Sequence, residues 1–172
     1  MMTTMQSRER LVKWLQDAYA MEKEAETMMT AMAARIEHYP ELKRRIEQHV
    51  QETQQQSAGV QRCLELLDGS IPTAKGMLSS VLASMHAAGN SMMTDEVTKG
   101  VGISYAFEHL EIASYRALVV AARSAGEQEV AQICEDILQQ EIEMAEWLIE
   151  HQEAIVVAFL EREQLEGVTA KR

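Results

Sequence analysis

The chain predicts an all-α bundle of four long helices, and three observations carry that expectation. Its 172 residues include only two Pro and eight Gly, which gather mostly at a few joints. Aromatic residues make up 5% while Met alone numbers twelve, so aliphatic and Met side chains must fill the interior, a palette of helix formers. Between the joints, apolar residues return at the 4-3 spacing of a single helical face.

The first helix is expected from about Ser7, a suitable N-cap, to about His38, where Tyr39-Pro40 breaks it. Pro40 fits the first turn of a second helix ending near Leu67, because Asp68-Gly69-Ser70-Ile71-Pro72 is the strongest breaker cluster in the chain. A shorter, Met-rich helix is expected from about Ala74 to Ala88, stopped by Gly89-Asn90. Thr94-Asp95 supplies a cap for the third long helix, which should end before Gly126. The fourth runs from about Glu127 toward Glu163, followed by a polar tail over 164–172. The whole reads as one domain, 1–172, with a bundle core over about 7–163.

The connections set the topology. Breaks of a few residues at Tyr39-Pro40 and at Gly126 make two antiparallel hairpins, and the stretch from Asp68 to Thr94 is long enough to cross the bundle. Two hairpins joined by a crossover that carries an extra helix describe a ferritin-like four-helix bundle.

A formal charge of -11 disfavours nucleic acid and anionic membrane as partners, since both need a local basic patch. The only basic run, Lys43-Arg44-Arg45, is split over different helical faces. Met1 to Arg10 has no apolar run of the signal-peptide kind, and nowhere do 18 apolar residues follow one another. A cytoplasmic location is the expectation. Cys63 and Cys134 sit singly on apolar faces and read as small buried hydrophobes.

Glutamates interrupt the apolar stripes. The first stripe is Leu11, Leu15, Ala18, Glu22, Ala25, Met29, Met32 and Ile36; the second is Leu42, Ile46, His49, Glu52, Gln56, Val60, Cys63 and Leu67. The third is Val97, Val101, Ser104, Glu108, Glu111, Tyr115, Leu118 and Ala122, and the fourth is Val130, Cys134, Ile137, Glu141, Met144, Leu148 and Ile155. Glu22 lies roughly 26 Å before its turn and Glu52 roughly 18 Å after it at 1.5 Å per residue, and Glu108, Glu111 and Glu141 are comparably placed about Gly126. All fall near mid-bundle. Carboxylates converging inside a core need something positive among them, and a pair of divalent metal ions is the usual reason.

The pattern departs from the usual carboxylate dimetal signature, a Glu on two helices and Glu-x-x-His on the other two. Neither Glu52-Thr53-Gln54-Gln55 nor Glu141-Ile142-Glu143-Met144 has histidine at i+3; His49 stands one turn before Glu52 instead. Glu108 and Glu111 form Glu-x-x-Glu, which adds oxygen donors and suits iron, manganese or magnesium better than zinc or copper. Glu is abundant here, and Arg45 lies near the Glu52 face as a possible partner, so solvated or proton-sharing acids are the alternative. No Lys or Arg falls on the inner stripes of helices one, three or four. A lone core histidine is more often hydrogen-bonded than metal-bound, and His49 is a candidate ligand by position. Tyr115 and Tyr19, each one turn from a stripe glutamate, can donate a hydrogen bond to a carboxylate, though core packing suffices to explain them. His109 points off the stripe, and His38, His86 and His151 lie toward ends or connections.

Several runs then carry a family resemblance: Asp17 to Glu26, Tyr39-Pro40-Glu41-Leu42, His49 to Thr53, Phe107 to Tyr115, Glu141, and Met144 to Leu148. Together they resemble the YciE/YciF family of bacterial ferritin-like proteins, its YciE members nearest, in order and over about Leu11 to Leu160. The resemblance implies a four-helix bundle with a crossover helix, a di-iron site, a homodimer, and a stress-associated role without an assigned reaction. It also implies Glu22, Glu52, Glu108, Glu111 and Glu141 as metal ligands, with His49 a family-like residue at the same site. The absent Glu-x-x-His pair is shared with the family.

Three functional classes follow. One is Fe(II) oxidation by oxygen or peroxide, with two metals roughly 3.5–4 Å apart. Another is a non-catalytic metal-binding or structural stress protein, and the third is a cage-forming iron store. A homodimer is expected because Trp14, Met21 and Met28 flank the first stripe and Trp147 the fourth.

Overall fold

The computed structural model describes residues 4–73, 94–165 and 169. Four helices make up nearly all of them: α1 (Thr4–Arg35), α2 (Pro40–Leu66), α3 (Glu96–Ala125) and α4 (Gln128–Glu163). The expected short helix over Ala74 to Ala88 lies outside the described residues.

Local chemistry sets most ends as expected and corrects two. The α1 helix already begins at Thr4, so Ser7 lies a turn inside it and does not cap it. It stops at Arg35, short of His38, because Tyr39 must be extended before Pro40 (φ -123, ψ 71). Pro40 then opens α2. Asp95 occupies the N-cap position of α3 without capping through its side chain. Its carboxylate is instead paired with Lys99 at 3.0 Å, while its carbonyl accepts from the Thr98 hydroxyl. At the α3–α4 joint Gly126 adopts φ 82, and the Gly126 and Glu127 amides donate to Arg123 and Ala122, closing the helix in a left-handed turn that favours glycine.

Each helix packs on two neighbours: α1 on α2 and α3, and α4 on α2 and α3. Cross-helix contacts give the directions. Arg35, at the end of α1, pairs with Glu96 at the start of α3, and a Cβ added to Gly100 would come within 2.9 Å of the Met32 methyl. Arg62, late in α2, pairs with Glu129 early in α4. The pairs α1/α3 and α2/α4 are therefore antiparallel, which leaves α2 and α3 parallel across the diagonal. The end of α2 and the start of α3 thus lie at opposite ends of the bundle, and the chain just past α2 is pinned where Gln16 donates to the Ser70 carbonyl at 2.8 Å.

The core is two apolar clusters with a polar layer between them. One cluster gathers Leu11, Leu15, Leu64, Phe107, Leu118 and Cys134; the other gathers Met29, Leu42, Ile46, Val101, Leu148 and Phe159. Every residue of the third and fourth stripes is buried. On α1 the stripe drifts so that Ala33 is buried where Met32 was expected, the drift of a 3.6-residue turn against a strict 4-3 pattern. On α2, Thr53 takes the fully buried position and Glu52 is half-buried. Cys63 and Cys134 are both buried and free, as expected. Met21 is buried within this bundle, whereas Trp14 stays 40% exposed.

Candidate metal centre

The layer draws on all four helices. Glu22 comes from α1, His49, Thr53, Gln56 and Ser57 from α2, Ser104, Glu108 and Glu111 from α3, and Glu141 from α4, all buried. Of the residues singled out from sequence, His49, Glu108, Glu111 and Glu141 each present a donor atom within 4.8 Å of the others. The His49 Nε2 atom faces Glu108 Oε2 at 3.3 Å and Glu141 Oε2 at 3.5 Å. These are ion-pair distances that lack hydrogen-bond geometry, since Nε2 has no hydrogen-bond partner among the described residues.

Glu22 and Glu52 stand outside that group of four. Glu22 accepts a hydrogen bond from the buried Tyr115 hydroxyl. Glu52 lies on the other side of the imidazole: its Oε2 meets His49 Nδ1 at 2.8 Å and Arg45 Nη1 at 3.1 Å, and its Oε1 accepts from Gln48 at 2.8 Å. The pairing of Arg45 with Glu52 was legible in the sequence. Tyr19 has no such place; it is half-buried, with Lys23 Nζ 5.9 Å from its ring centroid. His109 is exposed against Tyr105, His151 stacks on Trp147, and His38 lies beside Glu37. His86 is outside the described residues.

Burial and neighbours drive the carboxyl groups apart. Glu22 is pushed up to about 8 by burial and by nearby Glu141, and the Tyr115 bond only partly offsets them. Glu141 is likewise pushed up to about 8, by burial above all, with Glu108 raising it and His49 opposing. Glu111 rises well above the carboxylate range through burial and through Glu141, Glu22 and Glu108. Burial acts on His49 in the opposite sense, yet Glu108, Glu141 and Glu52 together hold its imidazolium well above the ordinary histidine value. Glu52 also resists ionisation through burial, but His49, Arg45 and Gln48 outweigh this and bring it down to about 2.

The donor set fits a divalent metal ion. Both oxygens of Glu108 and of Glu141, one of Glu111 and one of Glu22 are buried without a hydrogen-bond partner among the described residues. Orphaned buried acceptors are rare, because each loses its water and gains nothing in return. Oxygen-rich donors with one imidazole suit iron or manganese. Sequence reasoning missed Thr53 and Ser57, whose hydroxyls share the layer one and two turns after His49. The 49-53-57 spacing on one face was the available signal, weakened because small hydroxyl residues are at home on either side of a helix.

Fold and site together define an all-α ferritin-like bundle with a buried His/Glu cluster. By sequence the chain belongs to the family DUF892, a domain of unknown function, whose profile matches residues 6–161. It is 87% identical to the protein XCC3681 from Xanthomonas campestris pv. campestris str. ATCC 33913, with a TM-score of 0.81 over 93% of this chain and 99% of that one. The E. coli stress protein YciF shares the fold at 19% identity and a TM-score of 0.72, over 88% of this chain and 96% of that one. A ferritin-like, diiron-carboxylate protein from Bacillus anthracis str. Ames shares it at 18% identity and 0.69, over 88% and 99%.

Proposed function

We propose that this protein binds one or two divalent metal ions, iron first and manganese as the alternative, within the layer of His49, Glu108, Glu111 and Glu141, with Glu22 and Glu52 at its margins. One observation carries the reading: the unpartnered carboxylate oxygens of Glu108 and Glu141 face the same imidazole nitrogen deep in the core. A cation there replaces the protons that the raised carboxyl groups otherwise keep. The B. anthracis protein, described as a diiron-carboxylate, supplies the precedent for this fold.

Bound iron supplies one-electron chemistry with oxygen or peroxide. The chain's part is to exclude water with the apolar clusters on either side, to hold Glu22 through the Tyr115 hydroxyl, and to fix His49 between carboxylates. A non-catalytic metal-binding role, stress-associated as for the E. coli stress protein YciF, is the second reading, favoured by the missing Glu-x-x-His pairs. The YciE-like affiliation and a cytoplasmic location belong to the same proposal; among the described residues no helix is long and apolar enough to cross a membrane.

Anaerobic Fe(II) titration followed by air tests the site. The expected result is roughly one to two Fe(II) per chain, lost in Glu108→Ala with Glu141→Ala. Undiminished binding by that double variant would place the metal elsewhere. Binding without any oxygen-dependent absorbance change selects the non-catalytic reading. For assembly we propose a homodimer, supported by exposed Trp14, Leu110 and Ile149; light scattering showing a monomer at micromolar concentration, or a large cage, would refute it.

A further inference from the structure

Glu52 is separated from the other acids by the ring of His49. The two nitrogens of an imidazole point to different sides of the ring, and here Nδ1 meets Glu52 at 2.8 Å while Nε2 faces Glu108 and Glu141 at 3.3 and 3.5 Å. Glu52 is also the only one of these three acids whose oxygens are both occupied. Its Oε2 receives Arg45 as well as His49, and its Oε1 receives Gln48, whereas all four oxygens of Glu108 and Glu141 lack a hydrogen-bond partner among the described residues. The Arg45 and Glu52 side chains are 12% and 20% exposed, so their pair sits at the rim of the layer, against the solvent side of His49.

We propose that Glu52 is the positioning residue of His49 and not a donor to the metal. Anchored by Arg45 and Gln48, its carboxylate holds the proton on Nδ1, so that Nε2 is the nitrogen that gives up its proton to an ion among Glu108, Glu111 and Glu141 and ligates it. Ligating histidines characteristically donate their other ring N–H to a carboxylate, which fixes tautomer and orientation. One helix supplies the whole device: Arg45, Gln48, His49 and Glu52 fall at i, i+3, i+4 and i+7 of α2, a single face. The order His49-x-x-Glu52, reversed from the usual Glu-x-x-His, then has a physical reason, since here the glutamate serves the histidine from behind.

The inference rests on the metal-binding reading, and calorimetric titration with Mn(II) separates their failures by reporting both ion number and affinity. The proteins are wild type, Glu52→Ala, Glu52→Gln and, as the ligand reference, Glu141→Ala. Glu52→Ala is expected to keep the wild-type number of ions and to bind them about 10–100-fold more weakly, the usual cost of losing an outer partner. Glu52→Gln, whose amide oxygen still accepts from Nδ1–H, should fall between the two. Loss of an ion in Glu52→Ala, as expected for Glu141→Ala, would make Glu52 a ligand and overturn the proposal. So would wild-type number and affinity together. Should Glu52→Ala fail to fold, Glu52→Gln decides: equal affinity to wild type overturns the proposal, and weaker binding at unchanged ion number supports it. If wild type itself binds no Mn(II) or Fe(II), the metal-binding reading fails and this inference with it.

Discussion

The polar layer has two unlike halves. On the α2 rim, Glu52 meets Arg45, Gln48 and His49, and all its acceptors are occupied. Toward α1 and α3, Glu22 and Glu111 make no ion pair among the described residues, and only the Tyr115 hydroxyl reaches Glu22. The same side chain is accordingly driven in opposite directions, Glu52 down to about 2 and Glu22 up to about 8. Burial resists charge at both places. What differs is whether the helix supplies donors of its own, so the acid-rich half is the one left incomplete without a cation.

The largest effect should come from that half in metal-free protein. Glu22 and Glu141 have folded values of about 8 against an ordinary 4.5. Groups raised in this way stabilise the fold while protonated, fully so below about 4.5, and the contribution is lost as pH rises through about 8. Each adds a slope of up to about 1.4 kcal/mol per pH unit. The groups facing them are His49, Glu108, Glu111, Tyr115 and Lys23; raised His49 changes stability in the same sense. Urea melts from pH 5 to 9 should therefore show wild type weakening more steeply than Glu22→Gln with Glu141→Gln, in which Glu111 and His49 still titrate, and bound Mn(II) should flatten the wild-type slope. Parallel slopes for wild type and variant would mean that the two carboxyls are already paired or solvated, and the contrast between the halves would collapse.

That contrast was only partly legible in the sequence. Helix number, hairpins and the mid-bundle height of the glutamates followed from Pro40, Gly126 and the 4-3 stripes, because burial of an apolar face dominates what such a chain can do. The stripes on α3 and α4 needed no revision. On α2 the pattern blurred, since a face holding His49, Glu52 and Gln56 has no sharp apolar edge, and the choice between Glu52 and Thr53 as the inward residue turns on about a hundred degrees of helix rotation. Arg45 decides it by drawing Glu52 toward the rim. Nor does spacing along one helix tell which side of an imidazole a carboxylate will meet; that depends on how α3 and α4 place Glu108 and Glu141 opposite. The capping roles of Ser7 and Asp95 failed for a simpler reason: a capping residue type marks a neighbourhood, and competing partners such as Lys99 settle its use.

The α2 rim should give a smaller effect, at the other end of the pH scale. Glu52, depressed to about 2 from 4.5, contributes stability that is present above about 4.5 and is lost as pH falls toward 2. Other carboxylates titrate there too, Glu26 beside Lys23 among them, so the quantity to follow is the difference between wild type and Glu52→Gln. At pH 5 wild type should be the more stable by about 1 kcal/mol, a modest figure because the pair with Arg45 is partly open to water. Below pH 4 the difference should shrink toward zero as the Glu52 carboxylate takes up its proton. Above pH 5 it should shrink only as His49, which Glu52 helps to keep charged, gives up its proton, a smaller change than that expected for Glu22→Gln with Glu141→Gln. A wild-type advantage that is constant from pH 5 to 2.5 would show that Arg45 and His49 do not hold Glu52 ionised, and the two halves of the layer would then differ only in depth.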